Sequence, residues 1–432
     1  MTQQNPAGPG RPRSERYLAA AQATARWLAG ARIGTPSGPA WPAQARAAYP
    51  ADATLYDGAA GVALFLASLA AVTGDDQTAA AARAAAGFVA RTPDGGRFGL
   101  YTGYAGMTLA VAEAGRLLGD GGLRAGAERM LDRLAAAARP AGAGVEWPPM
   151  PSGRGPWQEL YHGTAGIALV AAALGRLDLA VRAGRRLAEL GRPAAAGRWW
   201  QSRPDDSRPA PNIAHGTAGI SYALATLALQ AGQPDLAAAA LDGAAYLLSI
   251  ARTGDGTCAV HHHEGDGTSL YTLGWCSGPP GLGCLFIRLH QLTGEPSWPE
   301  WAGRAARTVA ASGLPGRRYP GFWDNVAQCC GSAGVADFFL GLHLVTGDPA
   351  QLEFACTVLD DITGRAVTDE QGMRWHNIEH TAVPPELPAQ AGWMQGAAGI
   401  GAALLRGHQV LTGGEAGPWL PSWPFGGPPG RD

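Results

Sequence analysis

Two kinds of apolar segment alternate along the chain. One is apolar nearly all round, as in GVALFLASLAAVTG from Gly61 and GIALVAAALGRL from Gly166. A helix without a polar face belongs inside a protein rather than on its surface. The other kind carries an Arg/Glu face, at 14–30, 77–91, 123–139 and 235–251. The same short signal precedes each buried segment: a polar residue, then Gly-x-x-Gly. It reads DGAAG at 57–61, TGYAG at 102–106, HGTAG at 162–166 and at 215–219, SGPPG at 277–281, CGSAG at 330–334 and QGAAG at 395–399.

The first glycines of these copies lie 45 to 65 residues apart, a spacing that marks repeated supersecondary units. The order is outer helix, loop, inner helix, seven times over, which predicts an all-α fold: an α/α toroid of seven inner and seven outer helices. An open solenoid would show a tighter period and capping units, so the variable gaps favour closure. Gly and Pro concentrate in the connections, at 192–211, 254–274, 313–328 and 364–390. No strand-like alternation of useful length appears. The toroid is expected to span 15–413, between a flexible 1–14 segment and a Pro/Gly/Trp-rich tail at 414–432.

Composition narrows the function by exclusion. The 432 residues carry a net charge of −2, which argues against nucleic acid as the main partner. There is no lysine, so all 33 basic residues are arginine. A P-loop, a protein kinase and a Schiff-base enzyme each need a lysine, and none can operate in this chain. The start, MTQQNPAGPGRPRSERYLAAA, lacks an apolar signal core, and the longest apolar stretch, 59–72, falls short of the ~20 residues that cross a bilayer. No transmembrane segment and a cytoplasmic location are therefore expected. In such a setting the cysteines at 258, 276, 284, 329, 330 and 356 do not read as a disulfide framework.

The residues just before the first glycines are Asp57, Thr102, His162, His215, Ser277, Cys330 and Gln395, all polar. Helix capping would account for Asp57, Thr102 and Ser277, but His, Cys and Gln are not favoured caps. Seven helix N-termini around one mouth also favour thiolates. Cys276, Cys329 and Cys330 stand at this ring in consecutive repeats. Three thiolates with one open position is zinc chemistry. A purely structural role suits Cys276 alone better than it suits an adjacent Cys-Cys pair at a polar rim. Cys284 on an inner helix, Cys356 on an outer helix and Cys258 in a loop are expected to be non-ligands. His261–His263 with Glu264 read as a solvated loop, because consecutive residues cannot all face one ion. Trp199, Trp200 and the run 375–380 lie in rim loops, where they would either grip an extended peptide or plug the toroid end.

On these residues the chain resembles the lanthionine synthetase C-like family, the cyclases of lanthipeptide biosynthesis. The resemblance rests on the seven Gly-x-x-Gly copies, WCSGPPG at 275–281, Cys-x-Gly at 329–331 and Ala-His-Gly at 214–216. It implies an α/α toroid with one zinc. Cys276 and Cys329 take the family's two Cys positions, and Cys330 stands where most members have a His ligand. His215 matches the active-site His that serves in proton transfer. His162 is a second candidate; otherwise it is a helix-start residue bonded to a loop. Glu159 aligns with an acidic residue of some members. Ser277 and Thr272 replace an aromatic residue and an Arg found elsewhere in the family.

The implied reaction is a zinc-dependent addition of peptide Cys thiols to dehydroalanine or dehydrobutyrine, forming (methyl)lanthionine thioether rings. The implied partners are a dehydrated precursor peptide and a separate dehydratase or kinase/lyase enzyme, since this chain lacks the room and the lysine for dehydration. The alternative is a non-catalytic peptide-binding or scaffolding toroid with structural zinc. An α/α-toroid glycosidase or terpene cyclase would need paired carboxylates, and Asp57, Glu159 and Asp324 are too scattered for that.

Overall fold

The computed structural model describes residues 11–43, 51–149, 151, 155–202, 208–262, 271–317, 325–378 and 386–414. Among these, fourteen α-helices alternate between two layers. The outer helices are α1 (Arg13–Ala31), α3 (Asp76–Arg91), α5 (Gly121–Ala136), α7 (Leu177–Leu190), α9 (Pro234–Ile250), α11 (Ser297–Ala311) and α13 (Pro349–Gly364). The inner helices are α2 (Ala59–Thr73), α4 (Tyr104–Leu117), α6 (Thr164–Ala173), α8 (Thr217–Ala231), α10 (Pro279–Thr293), α12 (Ser332–Thr346) and α14 (Ala397–Leu411). Each inner helix packs on the outer helix that follows it, and α14 packs on α1. Inner helices also pack on their neighbours all the way round, with α14 returning to α2. The circle is closed, as the uneven repeat spacing predicts.

Local chemistry sets where the helices start and turn. Asp75, Asp120 and Asp348 cap α3, α5 and α13, each accepting a backbone N–H of the first turn. Gly74, Gly232, Gly294 and Gly347 end α2, α8, α10 and α12 with φ between 61° and 72°, a conformation that suits glycine. The inner helices start differently. Their N-cap is the first glycine of the repeat, and none has a side-chain cap. The capping account of Asp57, Thr102 and Ser277 is therefore corrected: these residues stand one position too early to cap.

Both glycines of the repeat answer packing demands. At Gly219 an added Cβ would overlap the Ile213 carbonyl and stand 3.1 Å from Cβ of Leu160 in the preceding repeat. The same double conflict, own loop carbonyl and preceding repeat, recurs at Gly106 with Leu100 and Leu55. Such close approach lets the seven turns join edge to edge. The backbone N–H of Tyr56 donates to Tyr101 O (2.8 Å), Tyr101 to Tyr161 (3.1 Å) and Tyr161 to Ala214 (3.2 Å). Ala214 then donates to Cys276 (3.1 Å), Cys276 to Cys329 (3.0 Å), Cys329 to Met394 (2.9 Å) and Met394 to Tyr56 (3.0 Å). Seven hydrogen bonds thus close a backbone ring at the centre, each worth about 1 kcal/mol net.

Short antiparallel hairpins, which the sequence does not announce, follow four outer helices. They are β1 (Ile33–Thr35) with β2 (Gly38–Pro42) and β3 (Ala51–Asp52), β4 (Arg139–Ala141) with β5 (Gly144–Glu146), β6 (Arg192–Pro193) with β7 (Arg198–Trp199), and β8 (Val367–Asp369) with β9 (Gly372–Arg374). At two to five residues each, they are too short for a period-two pattern to register. Each hairpin carries a buried tryptophan whose indole N–H donates back to its outer helix. The pairs are Trp41 to Leu28 O (2.8 Å), Trp147 to Leu134 O (2.8 Å), Trp200 to Leu187 O (2.6 Å) and Trp375 to Ile362 O (2.8 Å). Trp200 and Trp375 are latches in the fold, not a grip on peptide. Trp199 is half-buried under the Arg192 guanidinium at 5.3 Å. His263, Glu264, Asp324 and residues 379–380 lie outside the described residues. No described helix is long and apolar enough to cross a membrane.

Candidate functional site

The backbone ring decides what reaches the centre. Its side chains are Tyr56, Tyr101, Tyr161, Ala214, Cys276, Cys329 and Met394, all buried except the half-buried Tyr56. The next residue in each turn is half-buried in every repeat except the fifth, where Ser277 is buried. Cys276 and Cys329 are consecutive members of the ring, so one backbone hydrogen bond fixes their spacing. Cys330, one residue on, brings a third sulfur to the same place. Its Sγ lies 3.6 Å from that of Cys276, and all three sulfurs lie within 4.8 Å of one another.

This spacing fits zinc. Three sulfurs at about 2.3 Å from a tetrahedral ion stand roughly 3.8 Å apart. The sulfurs are also electrically coupled. S–H donation from Cys329 and Cys330 pulls the Cys276 thiol well below its ordinary value, while the bond to Cys276 holds the other two well above theirs. One thiolate is thus shared by hydrogen bonds from two thiols. Cys258, Cys284 and Cys356 are buried elsewhere, and all six cysteines are free thiols. Burial pushes Cys258 and Cys284 up to about 12, which leaves them inert at neutral pH.

Beside the sulfurs stands a second group. Glu159 is fully buried, and its carboxylate accepts the backbone N–H groups of Tyr161 (2.6 Å) and His162 (2.7 Å). Oε2 of Glu159 also faces Nδ1 of His215 at 3.3 Å. The backbone of His215 is pinned on both sides: its N–H donates to Asn212 Oδ1 (2.7 Å), and Ser202 Oγ donates to its carbonyl (2.5 Å). The imidazole sits deep in the toroid yet keeps 40 % side-chain exposure to the opening. Desolvation pulls its pKa down, but Glu159, by hydrogen bond and by charge, together with Cys276, holds it above the ordinary value. His162 goes the other way. Desolvation lowers it despite Glu159, its Nδ1 lies 2.6 Å from the Thr102 hydroxyl, and its ring stacks 5.9 Å from His215. Glu159, reached in the sequence only by loop alignment, is thus brought together with both histidines.

Two contributors leave no clear mark in the sequence. Tyr56, Tyr101 and Tyr161 pack ring on ring, with centroids 5.1 and 5.2 Å apart, and fill one side of the centre. Gln395 Nε2 donates to Tyr56 Oη (2.9 Å) and approaches Cys330 Sγ at 3.9 Å, while its Oε1 accepts from Asn325 (3.0 Å). Its place in the ring of polar residues was the one available signal. Thr272, where some members of the family carry Arg, is buried.

The fold and this site define an α/α-toroid protein with three clustered sulfurs and a carboxylate-supported imidazole at its centre. The chain belongs to the lanthionine synthetase C-like family, whose description, "Lanthionine synthetase C-like protein", matches residues 49–409. Among solved structures it is similar to a nisin cyclase, with TM-score 0.56 and 14 % identity, covering 84 % of this chain and 94 % of that one. A sugar epimerase from a ruminal bacterium has TM-score 0.50 at 12 % identity, with 92 % and 99 % covered. At these identities the likeness concerns the fold. A Danio rerio protein, glutathione S-transferase LANCL1, is 30 % identical over 148 residues, 34 % of each chain. The match therefore spans about a third of that relative's length.

Proposed function

We propose that the chain is a zinc-dependent lanthipeptide cyclase, joining peptide cysteines to dehydroalanine or dehydrobutyrine. The observation that carries this reading is the meeting of three sulfurs with the Glu159-supported His215 on neighbouring repeats. Cys276, Cys329 and Cys330 would hold the metal. Zinc, when bound there, supplies a substrate thiol in its deprotonated form at neutral pH.

In the addition, a sulfur lone pair forms the C–S bond at the β-carbon, and the π pair of the C=C bond moves onto Cα as an enolate. One proton at Cα completes a product isomeric with the substrate. His215 is the donor, because Glu159 takes Nδ1 and leaves Nε2 as the nitrogen open to the cavity. The proton lost by the substrate thiol balances the one gained at carbon. Tyr161, with its ring 4.9 Å from His215, and its tyrosine neighbours keep water from one side of the imidazole. Phe98, Trp147, Trp157, Thr164 and Ile167 line a small pocket beside His162.

The substrate would be a dehydrated precursor peptide, with dehydration supplied by separate dehydratase or kinase/lyase enzymes. The six free thiols accord with a cytoplasmic setting. Incubation with a dehydrated precursor, followed by a thiol-alkylating reagent, tests the reading. Ring closure consumes the peptide thiols, so alkylation should fail; full alkylation after incubation would sink the cyclase assignment.

A further inference from the structure

Glu159, His162 and His215 form a second set of metal-ligand atoms, separate from the sulfurs and all within 4.8 Å of one another. Two imidazoles and a carboxylate with an open side form a common zinc-binding set. The spacing suits an ion between two of them. Ligands at about 2.1 Å from a tetrahedral ion stand roughly 3.4 Å apart, and His215 Nδ1 lies 3.3 Å from Glu159 Oε2.

The groups behind the ligands fit as well. Metal-binding histidines usually have the other ring nitrogen hydrogen-bonded, and binding carboxylates are themselves held by donors. His162 has Nδ1 within 2.6 Å of the Thr102 hydroxyl, and the tautomer that donates Nδ1–H to that hydroxyl carries its lone pair on Nε2. The Glu159 carboxylate is held by two backbone N–H groups and retains acceptor capacity for an ion. Both histidines are half-buried, so the open side meets the cavity.

We propose that this imidazole–carboxylate trio is a second, weaker site for a divalent transition-metal ion, and that its occupation withdraws His215 from proton transfer. The inhibitory half rests on the cyclase reading; the binding half does not. The bound ion takes the position now occupied by the His215–Glu159 contact, so the two states exclude each other. Zinc would therefore support ring closure at one equivalent and suppress it in excess.

The test titrates the metal-free full chain with Co2+ and, separately, Zn2+. Sulfur-to-cobalt charge-transfer absorption reports the three-sulfur site, and calorimetry counts total equivalents. A second, weaker equivalent is expected without added charge-transfer intensity. It should weaken at least about tenfold in Glu159→Gln and in His162→Asn, and persist in Cys276→Ala. The charge-transfer band itself verifies folding of the first two variants. A single equivalent overall, or a second equivalent unchanged by both substitutions, overturns the proposal. Absence of ring closure at one equivalent, with the second site still filling, would instead refute the cyclase reading and leave the metal site standing.

Discussion

Glutamine at position 159 separates the two duties of Glu159. The substitution keeps the shape of the side chain and removes its charge. In the wild type one carboxylate oxygen accepts from His162 N at 2.7 Å, and the other accepts from Tyr161 N at 2.6 Å while facing His215 Nδ1 at 3.3 Å. Glutamine brings a single oxygen, so one backbone donor must face an NH2 group. A hydrogen bond to a charged acceptor is worth ~1.5–3 kcal/mol, and an orphaned buried donor costs ~1–3 kcal/mol. These are two views of one loss, and relief of a buried charge offsets part of it. Glu159→Gln should therefore destabilise the fold by about 2 kcal/mol, read from urea unfolding.

The effect on turnover has a different origin. General acid catalysis contributes on the order of 100- to 10,000-fold, and His215→Asn should forfeit that whole range. In Glu159→Gln the imidazole remains but loses its carboxylate partner. A fall of roughly 10- to 100-fold in kcat is expected, with KM unchanged, because Glu159 is too deeply buried to touch peptide. Zinc content should hold at one equivalent, since the three sulfurs are not altered. Single-turnover ring closure at saturating precursor, scored by loss of alkylatable thiols, gives the rate. Wild-type kcat together with the expected loss of stability would refute the positioning role and leave Glu159 as a turn-fixing residue. A rate loss accompanied by loss of zinc would refute the separation of the two groups.

Three further outcomes follow from the same geometry. Cys330→His should keep zinc near one equivalent by elemental analysis and close rings more slowly, because one anionic sulfur is replaced by a neutral nitrogen; Cys284→Ala should leave metal content untouched. Gly219→Ala, which drives a methyl into Ile213 and Leu160, should cost about 3 kcal/mol or more in urea unfolding, whereas Gly364→Ala, with open space around it, should be neutral or stabilising by about 0.5–1 kcal/mol. Burial beside Asp52 lifts the Asp57 carboxyl from an ordinary 3.8 to about 6, so its stabilising contribution is full below pH 3.8 and lost as pH rises through 6. Asp57→Asn should therefore gain about 2 kcal/mol on the wild type between pH 4 and pH 7, and a constant difference between the two unfolding curves would contradict this.

The fold could be read in advance where one physical demand recurs. Both glycines of each repeat are places where a methyl has no room, so the motif survives in all seven copies despite connections of unequal length. The hairpins escaped because strands of two to five residues carry no clear periodicity, although the four latch tryptophans all stand thirteen residues after the carbonyl they bind. Cys276, Cys329 and Cys330 were legible because they stand at the repeat turns, Cys276 and Cys329 at one position and Cys330 at the next. Glu159 was reachable only by counting four residues back from Gly163, because its role depends on a turn whose shape the sequence does not spell out. The tyrosines were invisible for the opposite reason: beside polar turn residues, an aromatic reads as ordinary packing. The capping account of Asp57, Thr102 and Ser277 failed because glycine had already taken the cap position.

The backbone ring explains how so regular a scaffold makes a lopsided site. All seven turns donate and accept in the same sense, so the main chain offers nearly equivalent positions and chemistry depends on side-chain order. Round the ring that order is Tyr, Tyr, Tyr, Ala, Cys, Cys, Met. Three consecutive tyrosines pack together along one arc, and the small and sulfur-bearing residues occupy the other. His215 follows the alanine and Cys276 is the next ring member, so the imidazole and the nearest sulfur lie on adjacent repeats. An addition across a double bond needs a nucleophile at one carbon and a proton at the next, one bond length away. Neighbouring turns held by a single backbone hydrogen bond keep such groups close together. Under the proposed function, seven-fold closure does more than bury the inner helices: it sets the distance between the two halves of the reaction.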